Sequence, residues 1–348
     1  MNFKLKNFQK NLMSWYKKYA RDLPWRRTKN PYYIWLSEVM LQQTQVKTVI
    51  PYYEKFIQTF PTLKDLAYAP EDKLMQYWQG LGYYRRAKHL HQAAKQIIAE
   101  HNGHLPKTAQ ELIKLKGFGE YTSASVASIA FGQAIACVDG NVKRVMARLF
   151  ADDTNPAEKS QSLLYEKNPG DYNQAIMELG ATVCTPKNPQ CLLCPVQTFC
   201  CAQQQGQVDL FPKKTKKIKQ THIYAAIVLI EHKDCFLMEK RTQAGRWENL
   251  WQNPSLESKQ LLSSKIIKQW LEDLTGKITV NLCPIAHITH QLTHQKISAQ
   301  ILHLNLESTL KSKDLHSQSY QWVKKEDLST LGISTFQKKA FQQLNLIF

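Results

Sequence analysis

The chain has 348 residues, a hydrophobic content of 43% and a formal net charge of +18 at pH 7. This length favours two domains over a single core, and the basic excess predicts a polyanionic partner without identifying it. The first ten residues lack the apolar core of a signal peptide, and the longest apolar run, Tyr224 to Ile230, is too short to cross a bilayer. We therefore expect an intracellular protein with no membrane contact.

Two helices are predicted near the start of the chain. Apolar residues recur at helical spacing from Phe8 to Tyr19 and stop near Pro24. In the next helix, WLSEVMLQQTQV, apolar neighbours flank Glu38 on one face. A glutamate half-buried there would have a raised pKa and could act as a general acid near neutral pH. A solvated helix glutamate is the alternative.

Two polar turns carry side chains suited to nucleic acid. The amide-rich segment Leu41 to Gln45 could hydrogen-bond base edges or fill the gap that a displaced base leaves. The turn from Gly80 to Arg86 combines glycines, two tyrosines and two arginines. Aromatic rings stack on bases and arginines reach phosphates. A plain helix surface and core tyrosines are the respective alternatives.

A Gly-x-Gly turn at Gly117 and Gly119 lies between helical AQELIKL and a small-residue helix from about Tyr121 to Phe131. Glycine permits a sharp turn and close approach to another molecule. The helix that follows presents unpaired N–H groups and a partial positive charge, which favour an anion. In a basic chain the expected anion is a nucleic-acid phosphate; a simple helical hairpin is the alternative.

The segment Asp139-Gly140-Asn141 precedes another helix, which carries Lys143. This pattern is a helix N-cap signature, so Asp139 has a structural interpretation. A capping role for Asp139 is compatible with a second role as a fixed negative charge. A capping carboxylate accepts backbone N–H bonds, which favour its charged form, and a fixed charged carboxylate suits the stabilisation of a cation.

Four of the eight cysteines form a C-x6-C-x2-C-x5-C array: Cys184, Cys191, Cys194 and Cys200. Four thiolates this close in sequence indicate a metal site, and the spacing alone leaves zinc and a [4Fe-4S] cluster both open. The remaining thiols are scattered, which favours a reducing compartment. Of these, Cys201 has no assigned role, and core or surface thiols are expected at Cys137, Cys235 and Cys283.

The lysine-rich run FPKKTKKIKQ predicts a solvated linker, and the hydrophobic period changes after it. YAAIVLI and CFLMEKR predict a β-hairpin. SKQLLSSKIIKQWLEDLTG predicts a helix that ends at Gly276. Strands are predicted in KITVNLC and in THQLTHQKISAQILHL, and a final helix in FQKKAFQQLNLIF.

LKGFGEYT resembles the helix-hairpin-helix of the base-excision DNA glycosylases related to endonuclease III, and VDGNVKRV is similar to their catalytic-aspartate segment. With WLSEVMLQQTQV and the cysteine array, the resemblance is to adenine DNA glycosylases of the MutY type and covers nearly the whole chain. It implies an all-α helix-hairpin-helix domain with a [4Fe-4S] cluster loop and an α+β Nudix-like C-terminal domain. The expected bounds are 1–212 for the glycosylase domain (six-helix-type core about 25–135, cluster subdomain 1–24 and 136–212), 213–221 for the linker and 222–348 for the Nudix-like domain.

The resemblance implies hydrolysis of the N-glycosidic bond of adenine opposite 8-oxoguanine or guanine in double-stranded DNA. The expected enzyme is an intracellular monomer, nucleoid-associated in a bacterium. Glu38 would protonate the flipped adenine and later activate water, and Asp139 would stabilise an oxocarbenium-like sugar. The other implied roles are catalytic support by Tyr121 and Asn141; DNA binding by Gln43 as a wedge, Tyr83 as an intercalating ring, Gly117, Gly119 and Lys143; base-pocket contacts by Arg26 and Gln174; lesion recognition by Thr293 and His294; and cluster ligation by Cys184, Cys191, Cys194 and Cys200.

The chain departs from family patterns at two places in the C-terminal part. The Nudix metal helix REUxEExG becomes QWLEDLTG, which leaves Mg²⁺ too few oxygen ligands, so we expect a binding module. The lesion loop Phe-Ser-His becomes Leu292-Thr293-His294, which puts the aromatic packing contact in doubt. Loop histidines rather than a metal site are expected at His287, His290 and His294.

Strand-cutting relatives carry a lysine two residues beyond the second hairpin glycine, where this chain has Tyr121, and Lys116 lies inside the hairpin. We therefore expect base removal without efficient strand cleavage. Two alternatives stay open: a glycosylase of the same fold with another base preference, and a non-catalytic DNA-binding protein with a structural metal.

Overall fold

The computed structural model describes residues 2–213, 220–242, 245–275, 283–307 and 319–346. By its internal contacts the chain forms two compact units. The first contains Met1–Tyr68 and His89–Lys216, and the second contains Ala69–Lys88 and Lys217–Phe348. Over the described residues, no helix is both long enough and apolar enough to cross a bilayer.

Helices alone precede the first strand of the described chain. They are α1 (Asn2–Tyr19), α2 (Pro31–Leu41), α3 (Val46–Thr59), α4 (Leu63–Tyr68), α5 (Glu71–Trp78), α6 (Arg85–Glu100), α7 (Ala109–Leu112), α8 (Glu120–Phe131), α9 (Gly140–Phe150), α10 (Pro156–Ser162), α11 (Pro169–Thr182) and α12 (Cys201–Gln204). Side chains cap several of them: Asn30 accepts from Tyr32 N–H at α2, and Thr108 accepts from Glu111 N–H at α7. These caps satisfy N–H groups that a helix start leaves unpaired.

The first unit has a core in which the first and last parts of its chain meet. Phe8 and Leu12 of α1 pack with Val145 of α9 and Leu179 of α11, and all four are buried. Elsewhere in the unit, α2 packs against α8, whose serines and alanines are almost all buried. Small side chains let two helices approach closely, and this packing places Glu38 opposite the start of α8.

The second unit contains a mixed sheet. Its elements are β1 (Thr221–His232), β2 (Cys235–Lys240), β3 (Trp251–Gln252), β4 (Ser255–Ser258), α13 (Ser264–Thr275), β5 (Ala286–Gln291), β6 (Gln295–Asn305), β7 (Tyr320–Lys324) and α14 (Thr335–Gln342). The strand order is β3-β2-β1-β6-β5, with β4 also paired to β1 and β7 to β2. β1 and β6 are parallel, and the other pairs are antiparallel.

Alternation along β1 explains why both faces of this sheet are covered. Ile227 and its alternate neighbours pack with Phe336 and Phe341 of α14. Val228 and its alternate neighbours pack with Leu271 of α13. A strand buried on both faces appears in sequence as a continuous apolar run, as YAAIVLI does. The predicted hairpin is confirmed, since β1 and β2 pair antiparallel.

Some predictions fall outside the described residues. These are the linker lysines 214–219, most of the KITVNLC strand and the helix end at Gly276, although α13 itself runs to Thr275. At the Nudix-helix position, Gln269 Nε2 donates to Asp273 Oδ1 at 3.0 Å. No three metal-binding side chains of the described residues are grouped so that they could hold an ion, in this helix or at the histidines.

The segment Ala69–Lys88 packs within the second unit. Lys240 Nζ donates to Asp72 Oδ1 at 2.9 Å, and Asn249 Nδ2 donates to Glu71 Oε1 at 2.8 Å. α5 and the turn after it are therefore held against the C-terminal sheet. The expected domain bounds, with residues 1–212 in one domain, remain a proposal, and the contact-based units assign this segment differently.

Candidate functional site

The first unit contains a cavity of about 760 Å³ that both predicted catalytic carboxylates line. The residues that line the cavity come from α2, the turn after α2, the glycine hairpin, the start of α9 and α11. Of the residues predicted for the site, the cavity is lined by Arg26, Glu38, Gln43, Gly117, Gly119, Tyr121, Asp139, Asn141, Lys143 and Gln174. A volume of this size suits a nucleotide-sized ligand.

Glu38 is buried, with 5% of its surface exposed. Burial raises the pKa of Glu38, the nearby charge of Asp139 adds to the rise, and hydrogen bonds from Tyr121 and Ser125 act against it. The phenol of Tyr121 donates to Glu38 Oε2 at 2.6 Å. Burial also raises the pKa of Tyr121, so this phenol keeps its proton. The arrangement favours a neutral carboxylic acid at the cavity wall.

Asp139 caps α9, as its sequence pattern predicts. Its Oδ1 accepts from the backbone N–H of Val142 at 2.7 Å, and its Oδ2 accepts from Asn141 Nδ2 at 2.9 Å. Both oxygens are therefore held in fixed positions at the cavity wall. Gly180 of α11 is needed here, because a Cβ at that position would lie 2.7 Å from Asn141 Cβ.

Arg144 connects this cap to the cysteine segment. Its Nη2 donates to Asn141 Oδ1 at 2.9 Å and to the carbonyl of Gly180 at 2.7 Å. Its Nε donates to the carbonyl of Cys184 at 2.8 Å. Asn141 is thus held on one side by Arg144 and holds Asp139 on the other.

Glu178 is a cavity carboxylate that the sequence reasoning missed. Burial alone would raise the pKa of Glu178, but hydrogen bonds from Arg21 and Arg26 outweigh burial and lower it to about 2. Arg21 Nε and Nη2 donate to the two carboxylate oxygens at 2.7 and 2.8 Å, and Arg26 Nη2 donates to Oε2 at 2.8 Å. Glu178 lies one helical turn after Gln174, so the spacing that puts both on one face of α11 was the available signal.

Gln43 lies in the turn after α2 with a left-handed backbone, φ 55°. Its side chain is exposed. The neighbouring Gln42 donates through Nε2 to Thr122 Oγ1 of α8 at 3.1 Å, which ties the turn to the buried helix. A non-glycine residue at positive φ is uncommon and persists where surrounding contacts fix it.

The two hairpin positions, Gly117 and Gly119, differ in whether they could accommodate a side chain. Gly117 has φ 78°, and a Cβ there would lie 2.5 Å from His89 Cβ. Gly119 has φ −97°, which any residue adopts, and its added Cβ would meet open space. The backbone conformation of Gly119 therefore does not require glycine, and its expected role in close approach to another molecule stays a prediction. Gly119 is the N-cap of α8 and makes no side-chain bond to the first N–H groups of that helix.

In the second unit, Tyr83 also has a left-handed backbone, φ 48°, and 46% of its surface is exposed. Arg86 is buried under it, with its guanidinium 5.4 Å from the Tyr83 and Trp78 ring centres. Arg86 Nη2 and Trp78 Nε1 both donate to the carbonyl of Gly82 at 3.1 Å. These contacts of Arg86 and Trp78 therefore hold the turn that carries the exposed Tyr83 ring.

Tyr83 meets the predicted lesion loop within that unit. Its hydroxyl lies 3.1 Å from Thr293 Oγ1, and either group can donate. Both Thr293 and His294 are exposed. Leu292, which stands where the family has an aromatic residue, is half-buried and packs against the core beneath the sheet.

The four cysteines of the array are free and partly buried. A tetrahedral zinc ion would need their sulfurs to converge within about 4 Å of one another. No three Cys, His, Asp or Glu side chains of the described residues are placed to share one ion. A four-iron cluster binds each cysteine through a different iron, so it does not require this convergence. Four free thiols in one short segment fit the four cysteine ligands that such a cluster takes.

Tyr121→Phe is predicted to shift the pH dependence of any reaction that needs protonated Glu38. The lost hydrogen bond stabilises the charged carboxylate, so its removal raises the pKa of Glu38 further. Activity then persists to higher pH before it falls. Single-turnover rates across pH test this, with melting temperatures as a control for folding. If the rate of Tyr121→Phe falls at the same pH as that of the wild type, or at a lower pH, the prediction is contradicted.

Three family models match this chain. The model described as HhH-GPD superfamily base excision DNA repair protein matches residues 36–169. A NUDIX domain model matches residues 225–343. The iron-sulfur binding domain of endonuclease III matches residues 184–200, which contain the cysteine array.

Similar proteins agree with these matches. The adenine DNA glycosylase of Homo sapiens is 35% identical over 96% of this chain and 73% of its own length. That of Rattus norvegicus is 35% identical over 96% of this chain and 77% of its own length. A solved thermostable thymine-DNA glycosylase is 28% identical, has a TM-score of 0.55, and covers 59% of this chain and 98% of its own.

Proposed function

Because this chain belongs to the adenine DNA glycosylase family, we propose that its substrate is duplex DNA in which adenine lies opposite 8-oxoguanine or guanine. The chain is a base-excision DNA glycosylase, a hydrolase of N-glycosyl bonds, and it carries a [4Fe-4S] cluster. The observation that best supports the proposed chemistry is that buried Glu38 and Asp139 line the same cavity. We further propose that the enzyme acts as an intracellular monomer.

In the proposed reaction, Glu38 gives its proton to N7 of the flipped adenine. The bond between C1′ and N9 then breaks, and its electron pair leaves with the base. The sugar becomes oxocarbenium-like, and the Asp139 carboxylate stabilises that positive charge. Water adds to C1′ and passes its proton to Glu38, which is thereby returned to its starting state. The products are free adenine and an abasic site.

The supporting residues have separate tasks in this scheme. The phenol of Tyr121 orients the Glu38 carboxyl through its 2.6 Å hydrogen bond. Asn141 holds Asp139 Oδ2 in place. The four cysteines of the array would hold the cluster, which would cross-link the loop that contains them.

The base pocket is proposed to use both donors and acceptors. Arg26 and Gln174 line the cavity, and the pair formed by Arg26 and Glu178 adds an ionised carboxylate. Buried polar groups that a substrate must satisfy discriminate against bases lacking the matching groups. Two buried glutamates in one cavity thus have opposite tendencies, since Glu38 favours the neutral form and Glu178 the charged form.

DNA contacts are proposed on two surfaces. Around the cavity of the first unit, Gln43 fills the space left by the flipped base, while Lys143 and the N–H groups at the glycine hairpin bind phosphates. In the second unit, the Tyr83 ring intercalates, and Thr293 and His294 read the base opposite adenine. The hydrogen bond between Tyr83 and Thr293 supports a shared task for these two exposed groups.

A panel of duplexes tests this proposal. Base release should be fastest with adenine opposite 8-oxoguanine, slower opposite guanine and slowest opposite cytosine. Thr293→Val should reduce the preference for 8-oxoguanine over guanine, because it removes the hydroxyl and keeps the shape. Release of thymine opposite guanine, with adenine untouched, would instead favour a related glycosylase with a different base preference.

Strand cleavage is predicted to be inefficient. The position that carries the Schiff-base lysine in strand-cutting relatives is occupied here by Tyr121, whose phenol is engaged with Glu38. Borohydride added during the reaction should trap a covalent protein–DNA adduct far more slowly than adenine is released. An adduct that forms as fast as base release would contradict a purely hydrolytic mechanism.

A further inference from the structure

Arg148 of α9 lies beside the cysteine array with only 3% of its surface exposed. Its Nη1 is 3.4 Å from Cys184 Sγ, and its own carbonyl oxygen is 3.3 Å from Cys200 Sγ. One buried arginine therefore contacts two of the four cysteines that hold the cluster.

The remaining donors of this guanidinium all meet neutral oxygens. Nε donates to the carbonyl of Phe211 at 3.0 Å, and Nη1 to that of Thr185 at 2.7 Å. Nη2 donates to the carbonyl of Pro186 at 3.4 Å. Among the hydrogen bonds of the described residues, none joins this guanidinium to a carboxylate. A buried cation without a paired anion is costly, and a cysteine thiolate is the anionic group that the geometry offers.

We propose that Arg148 is the hydrogen-bond and charge partner of the Cys184 thiolate and that it sets the reduction potential of the bound cluster. Potentials of iron-sulfur clusters depend on net charge, on hydrogen bonds to the sulfurs and on exposure to solvent. An N–H donor and a positive charge at Cys184 Sγ withdraw electron density from the ligand and favour the reduced state. Loss of both leaves the cluster harder to reduce.

The test is a mediated redox titration of the cluster-loaded protein, followed by electron paramagnetic resonance. Arg148→Gln should shift the midpoint potential to a more negative value. Arg148→Lys keeps the charge but loses the planar fork, so it should give a smaller shift in the same direction. Lys187→Gln removes an exposed cation from the same loop and should leave the potential of the free protein unchanged.

Iron and sulfide content and melting temperature are measured on the same samples, because Arg148 also holds three loop carbonyls. If Arg148→Gln loads no cluster, the Arg148→Lys potential decides the question. A wild-type midpoint potential in whichever variant retains the cluster would overturn the proposal. Arg148 would then serve only to hold the loop carbonyls in place. Base specificity plays no part in this test, so its outcome is independent of the proposed substrate.

Discussion

Glu38→Gln is expected to lower the single-turnover rate of adenine release by about 10² to 10⁴, the range typical of a lost general acid. Glutamine has nearly the same shape and can still accept the Tyr121 hydrogen bond, but it has no acidic proton to give. Affinity for the duplex should remain close to that of the wild type, because Glu38 is buried and adds little to phosphate binding.

Glu54→Gln is the matched control, since it neutralises an exposed glutamate on α3 of the same unit. It should leave base release and melting temperature unchanged. Glu38→Gln with full activity would remove the general acid from the mechanism. Wild-type protein that binds the duplex but releases no base would instead support the alternative of a non-catalytic binder.

Asp139→Asn is expected to lower base release by about 10² to 10³, the size of effect found when one electrostatic stabiliser of a transition state is removed. Asparagine is as good an N-cap as aspartate, so α9 should keep its start and the protein its fold. The variant therefore separates the charge of Asp139 from its capping role, which the sequence pattern could not do.

Asp171→Asn gives the control for this variant, because it neutralises another acidic residue near the start of a helix: Asp139 is the N-cap of α9, and Asp171 lies in the first turn of α11. Its rate should match that of the wild type. Two results would count against the electrostatic role of Asp139: an active Asp139→Asn enzyme, or an inactive one whose melting temperature has fallen enough to explain the loss.

Local patterns predicted the parts of the site that depend on local structure. Asp139 appears in sequence as a helix cap and is one, because an N-cap needs only the residues that follow it. Apolar neighbours on α2 marked Glu38 as buried, and the structure places it there. The fold class was predicted from the resemblance of the motifs and agrees with the matched families.

Contacts between distant residues were beyond the sequence patterns. The Tyr121–Glu38 bond joins residues 83 apart, and the Tyr83–Thr293 contact joins residues 210 apart. Glu178 was missed because a helix glutamate is usually solvated, and only the approach of Arg21 and Arg26 from another segment makes it a buried ion pair. Tertiary packing decides each of these cases.

The departure at Leu292 illustrates the same limit. In sequence it looks like the loss of an aromatic contact from the lesion loop. In the structure the leucine packs inward against the sheet core, while Thr293 and His294 remain exposed. The polar groups proposed to read the opposite base are therefore available despite the substitution.

The pH dependence of single-turnover adenine release, measured for the wild type and for Glu38→Gln, tests most directly whether Glu38 acts as a neutral acid. Because burial raises the pKa of Glu38, the wild-type rate should stay high below that pKa and fall as pH rises through it. This fall should begin above the ordinary glutamate range and should be absent from the residual activity of Glu38→Gln. A limb that persists unchanged in Glu38→Gln, or a wild-type limb within the ordinary glutamate range, would contradict the account.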